Sequence, residues 1–356
     1  MIDTMYETIY FDISGTCNAR CTYCNTGLYA ESKGKFITLE DFKLTVNKLV
    51  DNQLLSVQDG CLSLYCWGEP FLHPQINQII EYLNSRCIKY AFSTNASRVP
   101  LINKEFVSGL QNIVFSMPGF SQDSYDKIHG FNFPKIIQNI LKIINDCRRS
   151  GYSGIFTISY HTYQFSAPEI FECEAFALQN KIEFKPVNAI QNNWNHIELN
   201  AAHKLPEHLS KPINKDLFYD YFEEVVAEAA TSTTSEQFEC PMINSMLVID
   251  EQSNVLQCCQ VPAGETHSPG NLLKDNWEII ASKKTLDSSV CRKCIALGMA
   301  QYFQSAYKEP PFYLAAKKAR PLLSEYLRFR NLALDNRLIG RIKRKIKSQI
   351  RLFKQN

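Results

Sequence analysis

The sequence predicts an α/β fold: a partial (β/α)6 TIM-like barrel, then a small α+β unit and a basic helical tail. Three observations predict it. Six short runs rich in β-branched and aromatic residues alternate with segments of helical period over residues 1–187. Polar motifs close one strand run after another, as in parallel sheets whose functional groups gather at the strands' carboxyl ends. Past residue 237 the alternation gives way to two short strand runs framed by cysteines.

Taken in order, Thr8-Ile-Tyr-Phe-Asp-Ile-Ser14 is the first strand and ends at Gly15. Thr38 can cap a helix to about Asp51, with Phe42, Val46, Leu49 and Val50 at helical spacing. Cys61–Cys66 is a second strand running into Trp67-Gly68-Glu69-Pro70, followed by a helix over 74–86 and a strand over 88–93 that ends in Ser93-Thr94-Asn95. Helix over 101–110, strand over 112–116, helices over 121–128 and 134–149, strand over 154–160, helix over 167–179 and strand over 182–186 complete the alternation. Residues 188–236 read as a linker, aperiodic from 188 to 211, and a helix from Asp216 to Ala230. The unit at 237–300 holds strands over 246–249 and 255–258 and a helix near Trp277–Ser282. In the tail, 301–356, residues 337–356 carry eight Lys or Arg and no acid, with Ile339, Ile342, Ile346, Ile350 and Phe353 on one helical face. That pattern suits a helix lying on an anionic surface.

Composition narrows the setting. A formal charge of +2 over 356 residues excludes a general polyanion binder, and no apolar run is long enough to span a bilayer. The first residues lack the basic and apolar segments of a signal peptide. Thirteen cysteines therefore point to metal or redox chemistry in a reducing cytoplasm, with peripheral attachment at the inner face of the membrane through the tail as the further expectation.

Cys17-x3-Cys21-x2-Cys24, three thiols within eight residues, suits a [4Fe-4S] cluster with one iron unligated. A zinc site is the plainer alternative. With Tyr23 before the third cysteine, the loop resembles the signature of the radical S-adenosylmethionine (SAM) superfamily. The resemblance implies that SAM chelates the open iron and that an electron from the cluster cleaves it to methionine and a 5'-deoxyadenosyl radical, which abstracts a substrate hydrogen. Gly68-Glu69-Pro70 resembles the motif that meets the SAM ammonium, and Ser93-Thr94-Asn95 the one that contacts ribose and carboxylate, with Ala96 in place of a usual glycine. Val114-Phe-Ser116-Met-Pro-Gly119, with Ser124-Tyr-Asp-Lys-Ile-His-Gly130 after it, resembles the family's fourth strand and following helix, which implies that Ser116 contacts SAM.

Cys240-x17-Cys258 and Cys291-x2-Cys294 resemble the twitch domain, a reduced SPASM domain that holds an auxiliary [4Fe-4S] cluster, with Asn254 where glycine is usual. Four cysteines would close all four irons, which implies an electron acceptor; a zinc knot is the alternative. Cys259 competes with Cys258, since neighbours on a strand point to opposite faces. Cys61, Cys66, Cys87, Cys147 and Cys173 read as small core residues, and Tyr160 and His161, just past the fifth strand, as the candidates to face substrate.

The resemblance implies oxidation or another radical modification of a sugar-like or small polar metabolite, in glycan or secondary-metabolite biosynthesis, with flavodoxin or ferredoxin as electron donor. A peptide maturase acting on a ribosomal precursor is the alternative, against which stands the short segment before the cysteine strand. A zinc or nucleic-acid adaptor is the reading from another class; nucleic acid fits poorly because the chain outside the tail is net acidic.

Overall fold

The computed structural model describes residues 6–28, 35–202, 204–218, 240–261, 267–300 and 303. Six strands, β1 (Thr8–Phe11), β2 (Cys61–Ser63), β3 (Lys89–Thr94), β4 (Leu110–Met117), β5 (Ile155–Thr162) and β6 (Glu183–Asn188), lie side by side in chain order, each parallel to the next. Helices over Leu39–Asp51, Ile76–Ser85, Lys104–Ser108, Phe133–Arg149 and Ile170–Gln179 make the crossovers.

These helices start where a side chain satisfies free N–H groups. Thr38 accepts from Asp41 N, Asn103 from Phe106 N and Asn132 from Lys135 N, each cap worth about 1 kcal/mol. Helix Phe133–Arg149 then buries Ile136, Ile140, Ile143 and Ile144 along one stripe, roughly 1.5–3 kcal/mol per side chain. Phe11 stacks on Phe42 with centroids 5.1 Å apart, and Phe92 on Phe106 at 5.8 Å. The core thus lies between the sheet's outer face and its helices.

Several boundaries move. The helix expected over 101–110 covers only Lys104–Ser108, because Gly109 ends it and Leu110 already opens β4. β5 runs to Thr162, since its ladder with β6 continues to the Thr162–Asn188 pair. Residues 188–211 are not a featureless linker: Trp194–Ala201 and Glu207–Asp216 are helical, the first capped by Asn193. They are short and polar, and Pro212 sits inside the second, so little periodicity reaches the sequence. The second of them ends at Asp216, where a helix was expected to begin; most of 216–230 lies outside the described residues.

The cysteine-framed unit is joined to the barrel by main-chain pairing. β7 (Met246–Ile249) runs parallel to β1, and β8 (Asn254–Leu256) and β9 (Gly270–Asn271) add antiparallel, giving one nine-stranded sheet in the order β6-β5-β4-β3-β2-β1-β7-β8-β9. β1 is an edge of the six-stranded set, and a strand edge demands a partner. In the β7–β8 turn the positive φ falls on Ser253 (66°), while Asn254 is extended. The basic tail lies outside the described residues apart from Phe303, and no described helix is long and apolar enough to cross a membrane.

Candidate active site

The carboxyl ends of the parallel strands surround a cavity of about 360 Å³. Cys17, Cys21, Tyr23 and Cys24 line it from the loop after β1, and Gly68 and Glu69 from the segment after β2. Ser93 and Asn95 reach it from β3, Ser116 from β4 and His161 from β5.

Backbone contacts fix this rim. Gly68 passes so close to the cysteine loop that a Cβ there would lie 1.4 Å from the Ser14 carbonyl oxygen, so no other residue fits without moving main chain. Glu69 N donates to Thr16 O at 2.8 Å. Asp12, on the loop just past β1, accepts from Trp67 N at 2.7 Å and from Gly68 N at 3.1 Å through the same oxygen. Asp12 was not foreseen as a site residue; the signal available was an acid inside an apolar strand run.

Glu69 is 2% exposed and already oriented. Its Oε1 accepts from Phe71 N (3.1 Å) and Thr94 Oγ1 (2.7 Å), and its Oε2 from Asn95 N (2.7 Å). Burial nevertheless pushes its carboxyl up to about 7, outweighing these bonds, and does the same to Asp12. A buried carboxylate in that condition is set to receive a cation. Pro70 does not line the cavity; it opens the turn Pro70–Leu72 and is buried, which corrects its expected cofactor contact to a steering role.

Asn95 Nδ2 points back at the cysteine loop, 3.6 Å from Cys17 Sγ and 3.2 Å from Asn18 Oδ1. Ala96, standing for the usual glycine, adopts φ of 56°, the conformation that favours glycine. Asn139 clamps the turn by donating to Ala96 O at 2.9 Å.

Tyr160 and His161 part company. Both lie within β5, so they face opposite sides of the sheet. Tyr160 is fully buried in the outer core, donates to Ser166 O at 2.6 Å and packs on Phe184, so its expected role toward substrate is corrected to a structural one. His161 lines the cavity with His129, which the sequence reading missed. Burial holds His161 down to about 4 and His129 to about 3, the latter helped by the charge of His161, so both imidazoles are neutral near pH 7.

Burial raises the thiol of Cys17 to about 12, with Glu69 adding to it, and drives Cys21 and Cys24 up as well. Such thiols lose their protons to a metal rather than to water. Among the described residues no three His, Cys, Asp or Glu side chains are drawn together closely enough to hold a single metal ion; the three thiols share one wall of a large cavity. Three thiolate donors with open space beside them fit a [4Fe-4S] cluster with one free iron, and Glu69 and Asn95 fit the charged end of SAM.

A second, much smaller cavity, about 20 Å³, gathers Cys240, Cys258, Cys291 and Cys294 among Trp194, Met242, Val261 and Val290. Cys291 and Cys294 lie one turn apart on helix Ser289–Ala296, whose cap Ser288 accepts from Cys291 N. Cys258 lies past the end of β8, so strand alternation does not govern it; it lines this cavity and Cys259 does not. Four thiols in an apolar wall fit a closed cluster. The cavities are neighbours. Gln260, just after these cysteines, lines the first cavity, and Ile190 lines the first while packing with Trp194 and Met242 of the second. Cys66, expected in the core, lines the first cavity, and Cys87 is exposed. Cys61 is half-buried, while Cys147 and Cys173 are buried as expected.

The profile of the Radical SAM superfamily matches residues 12–164. The chain is 24% identical over 286 residues to the antilisterial bacteriocin subtilosin biosynthesis protein AlbA of Bacillus subtilis (strain 168), covering 76% of this chain and 58% of that relative's length. Streptococcus suis SuiB bound to S-adenosylmethionine superposes with a TM-score of 0.53 at 15% identity, over 86% of this chain and 77% of that one. SuiB bound to its precursor peptide SuiA gives 0.52 at 14% identity over 86% and 76%, and native anSMEcpe with bound AdoMet 0.51 at 14% over 84% and 88%. These structures share the fold.

Proposed function

Because residues 12–164 of this chain belong to the radical SAM superfamily, we propose that the protein cleaves SAM reductively and uses the radical to form a linkage within a peptide. The leading expectation from sequence, a sugar-like metabolite, gives way to its alternative: AlbA serves bacteriocin biosynthesis and SuiB binds a precursor peptide. The observation that carries the reading is an open three-thiol cavity beside an apolar four-thiol cavity, with Ile190 of the first packed on Trp194 and Met242 of the second. At about 360 Å³ the first falls within the roughly 300–1,000 Å³ of ordinary ligand sites, so the peptide reading draws its support from the relatives and not from the size of the cavity.

When bound, the cluster supplies the electron that splits the SAM sulfonium. The chain's own residues do the rest. Cys17, Cys21 and Cys24 would hold a cluster with one iron left open for SAM, and Glu69 would meet the SAM ammonium; Asp12 fixes the Trp67–Gly68 backbone beside it. His129 and His161 line the substrate side, and burial keeps them neutral there, as hydrogen-bonding groups rather than proton acceptors. Closing a linkage removes two hydrogens: one leaves as an atom to the deoxyadenosyl radical, the other as a proton, with one electron left over. Cys240, Cys258, Cys291 and Cys294 are suited to hold the group that accepts that electron, and a flavodoxin or ferredoxin would supply the first.

Anaerobic reconstitution should load roughly eight irons. With reductant, SAM and a cognate precursor peptide, mass spectrometry should find 5'-deoxyadenosine and a peptide lighter by two hydrogens per linkage. Deoxyadenosine formation with the peptide unchanged and a small polar metabolite oxidised would return the first expectation; a zinc-loaded, SAM-inert protein would end both.

A further inference from the structure

Lys284, just after helix Trp277–Lys283, is only 8% exposed. Its Nζ donates to the carbonyl oxygen of Ile243, a residue that lines the four-thiol cavity, and sits 5.0 Å from the centre of the Tyr6 ring. Gln257, another lining residue, donates to Lys283 O at 3.0 Å, so the main chain just before the lysine is tied to that wall. No carboxylate is paired with Lys284 among the described residues. The charged groups acting on it are the thiols of Cys258, Cys291 and Cys240, which work against the lowering that burial imposes, to about 8.

Burying an ammonium without a counter-charge is costly. One carbonyl and one ring face offset part of that cost, and an anion beside them would offset the rest. We propose that Lys284 is a fixed positive charge for an anionic cluster held by Cys240, Cys258, Cys291 and Cys294, and that it raises that cluster's reduction potential above that of the cluster at Cys17, Cys21 and Cys24. The inference rests on reading the second cavity as an iron–sulfur site. Net charge, hydrogen bonding and exposure tune such potentials; a nearby cation favours the reduced state, which carries one more negative charge. The first site has no matching cation among the groups acting on its thiols; beside Cys17 and Cys24 stand the carboxyls of Glu69 and Asp12. This gradient makes the second site the better electron acceptor.

The full chain, reconstituted anaerobically, is titrated with redox mediators while electron paramagnetic resonance follows each cluster. Lys284→Met removes charge and hydrogen bond together; Lys284→Gln removes the charge but keeps a donor. In both, the second cluster's reduction equilibrium should fall about tenfold, about 59 mV for one electron, while the first stays put; Lys284→Arg should hold the wild-type value. Unchanged midpoints in iron-replete Met and Gln variants, or a shift in the Arg variant equal to that in Met, would overturn the proposal. If the neutral variants fail to hold the second set of irons, retention by Arg upholds a charge role and loss by Arg overturns it. A wild-type chain that takes up only one cluster would instead refute the reading of the second cavity.

Discussion

Two sets of thiols, built from the same donor, meet opposite surroundings in this molecule. The first stands at the carboxyl ends of the barrel strands, in an open cavity lined by one raised carboxyl and two neutral imidazoles. The second is closed in by apolar side chains, with a lysine behind it. Donor identity explains why both can hold iron; it does not explain why they should do different things. Three thiols with polar neighbours leave a position to be filled by a charged cofactor, whereas four thiols in an apolar shell leave none.

Removing each set in turn is the largest test of that contrast. Replacing Cys17, Cys21 and Cys24 with Ala should abolish 5'-deoxyadenosine formation, a loss beyond about 10³-fold, and halve the iron content. Replacing Cys291 and Cys294 with Ala should also halve the iron, yet leave deoxyadenosine release within about threefold of wild type while stopping peptide linkage. Quantifying deoxyadenosine and product by liquid chromatography separates the two. Equal loss of SAM cleavage in both variants would mean that the sites do not divide the work.

Those cysteines were legible in the sequence because ligand spacing is local: three thiols in eight residues, and two a helical turn apart. Glu69 and Asn95 were legible through short motifs at strand ends. Asp12, His129 and Gln260 were not, because each acquires its role from elements far along the chain: Asp12 from the Trp67–Gly68 backbone, His129 from its position facing β5, Gln260 from the wall between the cavities. Tyr160 and His161 were misassigned as a pair because a strand end two residues off hides which neighbour faces in. Fold class followed from alternation, but the joining of β7 to β1 depends on an edge that no local pattern reveals.

A smaller effect sharpens the electrostatic side of the comparison. Glu69, raised from 4.5 to about 7 by burial, keeps its proton in the fold where the unfolded chain has lost it. The SAM-free protein therefore loses stability as pH rises from about 4.5 to about 7, by on the order of 3 kcal/mol, and the cost persists above that range. On the proposed pairing of the SAM ammonium with the ionised Glu69 carboxylate, the gain in melting temperature on adding SAM should grow by roughly 2–4 °C between about pH 6 and pH 8. Glu69→Gln should flatten the profile. Asp12 shares the same pH range, but it is bonded to backbone N–H groups and contributes with or without SAM. The same slope in wild type and variant would detach Glu69 from the ammonium.

The smallest expected effect concerns Ala96, between the two polar strand-end motifs and the helix that clamps it. A left-handed alanine costs roughly 1–2 kcal/mol, and the φ of 56° places Ala96 there. Glycine would relieve that strain, but it would forfeit about 0.8 kcal/mol from the buried methyl and add unfolded-state freedom worth about 0.4–1 kcal/mol. Ala96→Gly should therefore stay within about 1 kcal/mol of wild type in urea unfolding, with SAM affinity unchanged. Ala96→Val, β-branched at positive φ and packed at 1% exposure, should lose several-fold more and weaken SAM binding through Asn95. A glycine variant destabilised by more than about 2 kcal/mol would show that methyl packing, rather than the Asn139 clamp, holds the turn. A valine variant as stable as wild type would show that the turn can leave the left-handed region without cost.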